Sequence, residues 1–238
     1  MQNNSNNLAT FLYIDTAGER AMVAVGSESA ILAIETNEMV NTHASFVQTA
    51  IDKMCKEINM PIHELDAVVV TMGPGSYTGL RVGLSSAKGI AYAINKPLIG
   101  ISTLALLAKH AITHINLIKT EKNIQIFSMI DAKRMEVFGA IYNADLSIIL
   151  PEQAIVLDSE FMTNLLDKGP LLCVGNGAIK TNQLFSNAQL HCIESQYDIQ
   201  DFKLLAFEKW AKKEFENTAY SIPSYLKEFY QGPAKSSK

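Results

Sequence analysis

The sequence lacks several features that would assign it quickly to a class of protein. No uninterrupted apolar run reaches the roughly 18 to 20 residues of a membrane-spanning helix, so we expect no membrane insertion. A net charge of −4 gives no excess of lysine and arginine, which weakens the case for nucleic-acid binding by this chain alone. The three cysteines, Cys55, Cys173 and Cys192, are odd in number and far apart, which favours reduced thiols in a cytoplasmic protein.

Two segments of the chain share one pattern of strand, aspartate, polar turn and strand. The first runs from Phe11 to Val25 with Asp15 at the end of its first strand, and the second runs from Ile124 to Ile141 with Asp131 in that place. Such duplication predicts two similar α/β lobes. The predicted organisation is a disordered cap without a secretory signal (1–7), a first lobe (8–115), a second lobe (116–222) and a C-terminal tail (223–238).

Helical spacing of apolar residues predicts two helices in the first lobe, over residues 42–58 and 76–95. A β-branched strand over residues 65–71 precedes the second helix, and a strand over 97–101 and a helix over 103–114 follow it. In the second lobe the sequence predicts helices near 159–167 and 201–215, with a strand over 171–174 between them.

The loop between the 65–71 strand and the second helix is rich in glycine. Gly73, Gly75 and Gly79 follow the spacing G-x-G-x-x-x-G, which is one residue longer than the dinucleotide fingerprint, and no Gly-Lys-Ser/Thr follows. Glycines at a helix start allow a phosphate to approach the backbone, but they also allow a tight turn from strand to helix. The sequence leaves both interpretations open.

The second helix carries a ridge of small residues, Gly79, Gly83, Ala87 and Ala91, which recur every four positions. Glycine inside a helix costs roughly 1 kcal/mol relative to alanine, so two glycines here indicate close packing. The ridge would accept either a helix of a partner or the chain's own sheet, and the spacing does not decide between them.

The run from Gly73 to Gly83, Gly-Pro-Gly-Ser-Tyr-Thr-Gly-Leu-Arg-Val-Gly, is similar to a motif of the TsaB (YeaZ) family. Further similarities follow in order along nearly the whole chain, which makes the resemblance much more specific than any single motif. They are Ile14-Asp15-Thr16, Ala87-Lys88-Gly89, the stretch 97–104, Asp131-Ala132 with Glu136-Val137, Gly175-Asn176-Gly177 and the stretch 223–227.

The resemblance implies an actin-like ATPase (ribonuclease H-like) fold of two tandem lobes, each a mixed sheet flanked by helices. It also implies a non-catalytic subunit that supports threonylcarbamoyl transfer to the adenosine beside the anticodon (position 37) of tRNAs reading codons that begin with A. The implied partners are the catalytic subunit TsaD and the ATPase TsaE, with tRNA reached only through their complex. A homodimer is implied when TsaD is absent.

In the family the contact with TsaD, or with a second copy, comes from the first-lobe helices, here 42–58 and 76–95. The residues predicted to form that contact are Val47, Ala50, Ile51, Met54, Gly79, Gly83, Ala87 and Ala91. No nucleotide is expected to bind tightly to the chain alone, but ATP or ADP is a candidate at the interface with TsaD. The residues predicted to lie beside it are Asp15, Gly75, Tyr77, Thr78 and Arg81.

Two other classes of protein compete with that interpretation. A small-molecule kinase of the same fold would use Asp15 or Asp131 as a magnesium ligand or base, although no complete phosphate cradle is visible. A metallopeptidase would use His110 and His114, which stand four apart on a predicted helix. These histidines have no acid nearby in the sequence, and the catalytic relatives have their histidine pair earlier, at the place of Ser102 and Thr103. We therefore expect neither a metal site nor catalysis.

Overall fold

The computed structural model describes residues 8–38, 43–116 and 123–226. The predicted cap (1–7), the first residue of the predicted 42–58 helix and the tail beyond residue 226 lie outside the described residues. None of the helices in the described ranges combines the length and apolar character needed to cross a bilayer.

The first sheet contains five strands in the order β3-β2-β1-β4-β5. Its three first strands form an antiparallel meander, and β4 and β5 then pair in parallel on the other side of β1. The strands β1, β2 and β4 are buried along nearly their whole length, which explains their continuous runs of apolar residues. The bounds are β1 Thr10–Asp15, β2 Ala21–Ser27, β3 Ile31–Asn37, β4 Ala67–Gly73 and β5 Leu98–Ser102.

The second sheet repeats this layout in the order β8-β7-β6-β9-β10, again with one antiparallel meander and two parallel strands. Asp15 and Asp131 therefore end equivalent strands, β1 and β6, and the predicted internal repeat is confirmed. The bounds are β6 Gln125–Asp131, β7 Glu136–Tyr142, β8 Ile148–Val156, β9 Leu171–Val174 and β10 Leu190–Ile193.

Six α-helices in the described residues flank the two sheets. Ser76 caps α2 by accepting a hydrogen bond from the Gly79 amide, and Ser102 caps α3 in the same manner. Asp198 and Asp201 form a capping box at the start of α6. The bounds are α1 His43–Glu57, α2 Tyr77–Ile94, α3 Thr103–His114, α4 Ser159–Leu166, α5 Ala178–Leu184 and α6 Ile199–Lys212.

The helices divide between the sheet faces in a way that chain order alone does not predict. Helices α1 and α2 cover one face of the first sheet, and α6 with part of α3 covers the other. The opposite side of α3 packs on the second sheet, so this helix lies between the two. We expected residues 116–222 to form one lobe, but α6 within that range packs on the first sheet. The predicted lobe boundaries themselves stay a prediction.

Three elements of the second sheet's layer, β8, β10 and α5, are absent from the sequence prediction. Strand β8 lies at one edge of the sheet and is half exposed, with Pro151, Glu152 and Gln153 interrupting its apolar pattern. Strand β10 lies at the other edge and spans four residues, and α5 spans seven. Short or edge elements bury little apolar surface, so their sequences carry a weak periodic signal.

Candidate functional site

Asp15, at the end of β1, is almost fully buried, at 6% exposure. Its carboxylate accepts hydrogen bonds from the Ala17 amide at 3.0 Å, the Thr71 hydroxyl at 2.9 Å and the Tyr197 hydroxyl at 2.8 Å. Burial raises the pKa of Asp15, while these three donors and the charge of Arg20 act in the opposite direction. The side chain thus holds parts of the chain together inside the protein and does not face solvent.

The glycine-rich loop packs directly on the turn that follows Asp15. A Cβ atom at Gly75 would overlap the carbonyl oxygen of Ala17, and one at Gly79 would overlap that of Thr16, both well inside the 3.0 Å that real Cβ contacts respect. The Ser76 amide donates to Ala17 O at 2.7 Å, so the chain itself occupies the approach to the helix start. Of the two interpretations of these glycines, the structure favours the tight turn.

Arg81 and Tyr77 lie together on the exposed side of α2. The guanidinium carbon of Arg81 lies 4.0 Å from the centroid of the Tyr77 ring, and its Nε atom donates to the Tyr225 hydroxyl at 2.8 Å. Thr78 is exposed beside them. The five predicted nucleotide-adjacent residues therefore do not form one group, because Asp15 faces the interior and Arg81 faces solvent. Tyr225, which joins this cluster from the stretch 223–227, is part of the family resemblance in the sequence but is not among the predicted site residues.

The small-residue ridge of α2 faces the chain's own core. All eight residues predicted to contact a partner are buried, and most belong to one cluster with β1, β2 and β4. The contact prediction is wrong for this conformation, because the small side chains serve to bring α2 close to the sheet. The eight residues of that contact prediction are Val47, Ala50, Ile51, Met54, Gly79, Gly83, Ala87 and Ala91.

Helix α2 carries a second stripe of small residues on its outer face, two positions further along. Ser85, Gly89 and Ala93 are exposed, and a Cβ atom at Gly89 would meet nothing within 4 Å among the described residues. Tyr92 beside them is 83% exposed. The outer faces of α1 and α2 adjoin, since Gln48 donates to the Ser86 hydroxyl at 3.3 Å. We call Ser85, Gly89, Tyr92 and Ala93 the outer stripe.

The aspartate of the second sheet occupies a different environment from that of the first. Lys180 Nζ lies 2.5 Å from the Asp131 carboxylate, which also accepts from the Lys133 amide at 2.6 Å. The hydrogen bond from Lys180 is the main cause of the lowered pKa of Asp131. Both aspartates that a kinase could use, Asp15 and Asp131, are thus engaged with groups of the chain itself.

The two histidines of α3 have an acidic neighbour that the sequence does not reveal. Asp201, at the start of α6, lies with its Oδ2 atom 2.7 Å from His110 Nδ1 and its Oδ1 atom 3.7 Å from His114 Nε2. The sequence places no acid close to these histidines along the chain, and the structure supplies one from a distant segment. Packing of α6 against α3 brings together residues that are about ninety positions apart in the chain.

Comparison with known proteins gives consistent relatives. The family model described as "TsaD: tRNA N6-adenosine threonylcarbamoyltransferase" matches residues 31–228. The chain is 27% identical to the tRNA threonylcarbamoyladenosine biosynthesis protein TsaB of Bacillus subtilis over 75% of this chain and 76% of that protein.

Solved structures agree with this relationship at the level of the fold. The structure of YeaZ from Pseudomonas aeruginosa superposes with a TM-score of 0.74 at 21% identity, covering 92% of this chain and all of that one. An inorganic polyphosphate/ATP-glucomannokinase from an Arthrobacter strain reaches a TM-score of 0.50 at 9% identity over 86% and 99% of the two chains. The two mixed sheets and these neighbours establish the actin-like, ribonuclease H-like fold.

Proposed function

This chain belongs to the TsaB (YeaZ) family, within the broader family described as tRNA N6-adenosine threonylcarbamoyltransferase, and we propose that it acts in threonylcarbamoyladenosine biosynthesis on tRNA. Its role is that of a non-catalytic subunit that supports transfer by a TsaD subunit, together with TsaE, to the adenosine at position 37 of tRNAs reading codons that begin with A. The Bacillus subtilis relative is named as a biosynthesis protein and not as the transferase, which supports an accessory role.

The observation that carries this proposal is the closed glycine loop. Phosphoryl transfer needs a cradle for the phosphates and an acid that holds a metal ion. Here Gly75 and Gly79 lie against the backbone of Ala17 and Thr16 without room for one methyl group, so a phosphate does not fit between them. Asp15, the corresponding acid, is buried with three donors. These contacts support a chain that lacks its own catalytic centre.

We place the contact with TsaD on the outer stripe and the adjoining exposed face of α1. An exposed glycine in a helix interior costs roughly 1 kcal/mol relative to alanine, and Gly89 has no neighbour within the described chain that would require it. A partner helix that packs closely on this face would need the space that the missing side chain of Gly89 leaves. The same surface would join two copies when TsaD is absent, and any ATP or ADP used by the complex would lie at this interface.

Reconstitution tests the role of the subunit. We expect transfer to tRNA by TsaD, TsaE and this chain together, in the presence of threonylcarbamoyl-adenylate, and a loss of turnover when this chain is omitted. The chain alone should neither modify tRNA nor hydrolyse ATP at a useful rate. Undiminished turnover without the chain, or ATP hydrolysis by the purified chain that Asp15→Ala abolishes, would contradict the proposal.

The variant Gly89→Leu tests the proposed surface. A leucine there would clash with an approaching helix, and overpacking costs typically about 1 to 3 kcal/mol, so affinity for TsaD should fall about five-fold to over a hundred-fold. Thr163→Leu is the matched control, since it adds the same side chain to an exposed position of α4 in the layer of the second sheet. Equal affinities for the two variants would rule out the outer stripe as the contact.

A further inference from the structure

Asp201 is a buried carboxylate whose charge is only partly compensated. Its side chain is fully enclosed, and Oδ2 is hydrogen-bonded to the Asp198 amide at 3.1 Å and to His110 Nδ1 at 2.7 Å. Oδ1 has no hydrogen-bond partner among the described residues, although it is shielded from solvent. An unpaired buried carboxylate oxygen costs free energy, so a cation that binds to it would stabilise the folded chain.

Two imidazoles lie beside this carboxylate, those of His110 and His114, one helical turn apart on α3. Their ring centroids lie 4.6 Å apart, and His114 Nε2 lies 3.7 Å from Oδ1, beyond hydrogen-bond distance. One nitrogen from each ring and one oxygen of Asp201 all lie within 4.8 Å of one another. Three groups that ligate metals thus converge on one small volume between α3 and α6.

We propose that His110, His114 and Asp201 form a binding site for a divalent transition-metal ion, with Zn²⁺ as the preferred ion. Two imidazole nitrogens and one carboxylate oxygen are ligands of the kind that zinc takes, with water completing the tetrahedron. Bond lengths of about 2.0 to 2.2 Å require ligand atoms roughly 3.3 to 3.5 Å apart in a tetrahedral site. His110 Nδ1 lies 2.7 Å from Oδ2 in a hydrogen bond that the ion would replace, and His114 Nε2 lies 3.7 Å from Oδ1, close to the separation that a shared ion requires.

The rearrangement that binding requires is small. Asp201 is held by the capping box at the start of α6, so it provides a fixed ligand. His114 lies in the last turn of α3 and its side chain is 46% exposed, so its ring has room to rotate toward the ion. The ion would join α3, which lies between the two sheets, to α6. The bound ion would stabilise the contact between α3 and α6. This role is separate from the proposed function in tRNA modification.

Direct titration of the full-length chain, first treated with a chelator and then dialysed, tests the site. We expect one Zn²⁺ to bind per chain, and we expect His110→Ala and His114→Ala each to weaken binding at least ten-fold. His63→Ala is the matched control, because His63 is exposed, as His114 is, but lies in a separate short helix, Ile62–Glu64. Zinc should raise the thermal midpoint of the wild type and of the control variant, but not that of the other two.

Cobalt distinguishes this site from the cysteines of the chain. Co²⁺ bound by imidazole and carboxylate gives ligand-field absorption without a sulfur-to-cobalt charge-transfer band, and we expect that spectrum. A charge-transfer band from sulfur, affinities for zinc that match between wild type and both histidine variants, or no binding to the folded chain would each overturn the proposal. Asp201→Asn should also abolish binding, and if that variant fails to fold, the two histidine variants still decide.

Discussion

Gly83 gives a direct test of how α2 packs on the first sheet. A Cβ atom at this position would overlap the Oγ1 atom of Thr16, which donates a hydrogen bond to Gly79 O at 2.7 Å. The side chain of Thr16 is fully buried, so water cannot replace this hydrogen bond if the hydroxyl is displaced. Gly83→Ala should therefore destabilise the isolated chain, although alanine is the better helix former.

The expected loss follows from three contributions. Overpacking a close contact costs about 1 to 3 kcal/mol, and leaving a buried hydrogen-bonding group unpaired costs about 1 to 3 kcal/mol. The gain in helix propensity is about 1 kcal/mol. The net loss of unfolding free energy is thus about 1 to 5 kcal/mol. For a chain of this length, that lowers the thermal midpoint by roughly 2 to 20 °C.

Thermal unfolding followed by circular dichroism, at a concentration where the chain is monomeric, measures this loss. Gly89→Ala is the matched control on the same helix, where the added methyl group meets no described atom, and it should raise the stability by up to about 1 kcal/mol. In a Thr16→Ala background the clash at position 83 disappears, so Gly83→Ala should cost much less there. If Gly83→Ala and Gly89→Ala raise the midpoint equally, α2 does not pack as described.

The remaining predictions concern side chains with perturbed environments. Because burial raises the pKa of Asp15, the folded chain binds its proton more tightly than the unfolded chain, and stability should fall as pH rises above the ordinary value of 3.8. Asp15→Asn should flatten that fall in urea titrations at several pH values, whereas an unchanged slope would exclude Asp15 as its source. The hydrogen bond with Cys173 lowers the pKa of Cys192 to about 7, so Cys192 should be alkylated before Cys55 near neutral pH, as mass spectrometry of tryptic peptides would show. Cys173→Ala should slow that reaction, and equal rates would refute the assigned cause. Arg81→Ala should reduce stability by no more than about 1 kcal/mol, because its contacts with two tyrosines are exposed; a larger shift of the urea midpoint would mean a structural role.

Much of the fold could be predicted because the buried strands carry strong local signals. The runs around Asp15 and Asp131 predict two hairpins, and the structure extends each of them into the same five-stranded sheet. Helix α2 begins one residue after Ser76, close to the start that the helical spacing predicts. Propensity and periodicity act over a few residues, which is why these elements are predictable from the sequence.

The candidate sites were less predictable because they depend on which helix and sheet faces pack against each other. The spacing of Gly79, Gly83, Ala87 and Ala91 shows that these residues share a face, but it contains no information about whether a sheet or a partner covers that face. The acid beside His110 comes from α6, and only the return of that helix to the first sheet brings the two together. Local sequence patterns do not reveal contacts between residues that are distant in the chain.

The position of α6 has a consequence for how the chain is made. The ring of Phe207 stacks on Phe11 with centroids 4.3 Å apart, and Phe202 meets the edge of Tyr13 at 5.5 Å. Because α6 follows β1 in the chain, the aromatic face of β1 is enclosed only after α6 has been synthesised. Until residue 212 has been made, that apolar face has no cover from its own chain. We therefore expect the first sheet to complete its packing late in synthesis, and the exposed face to favour aggregation until then.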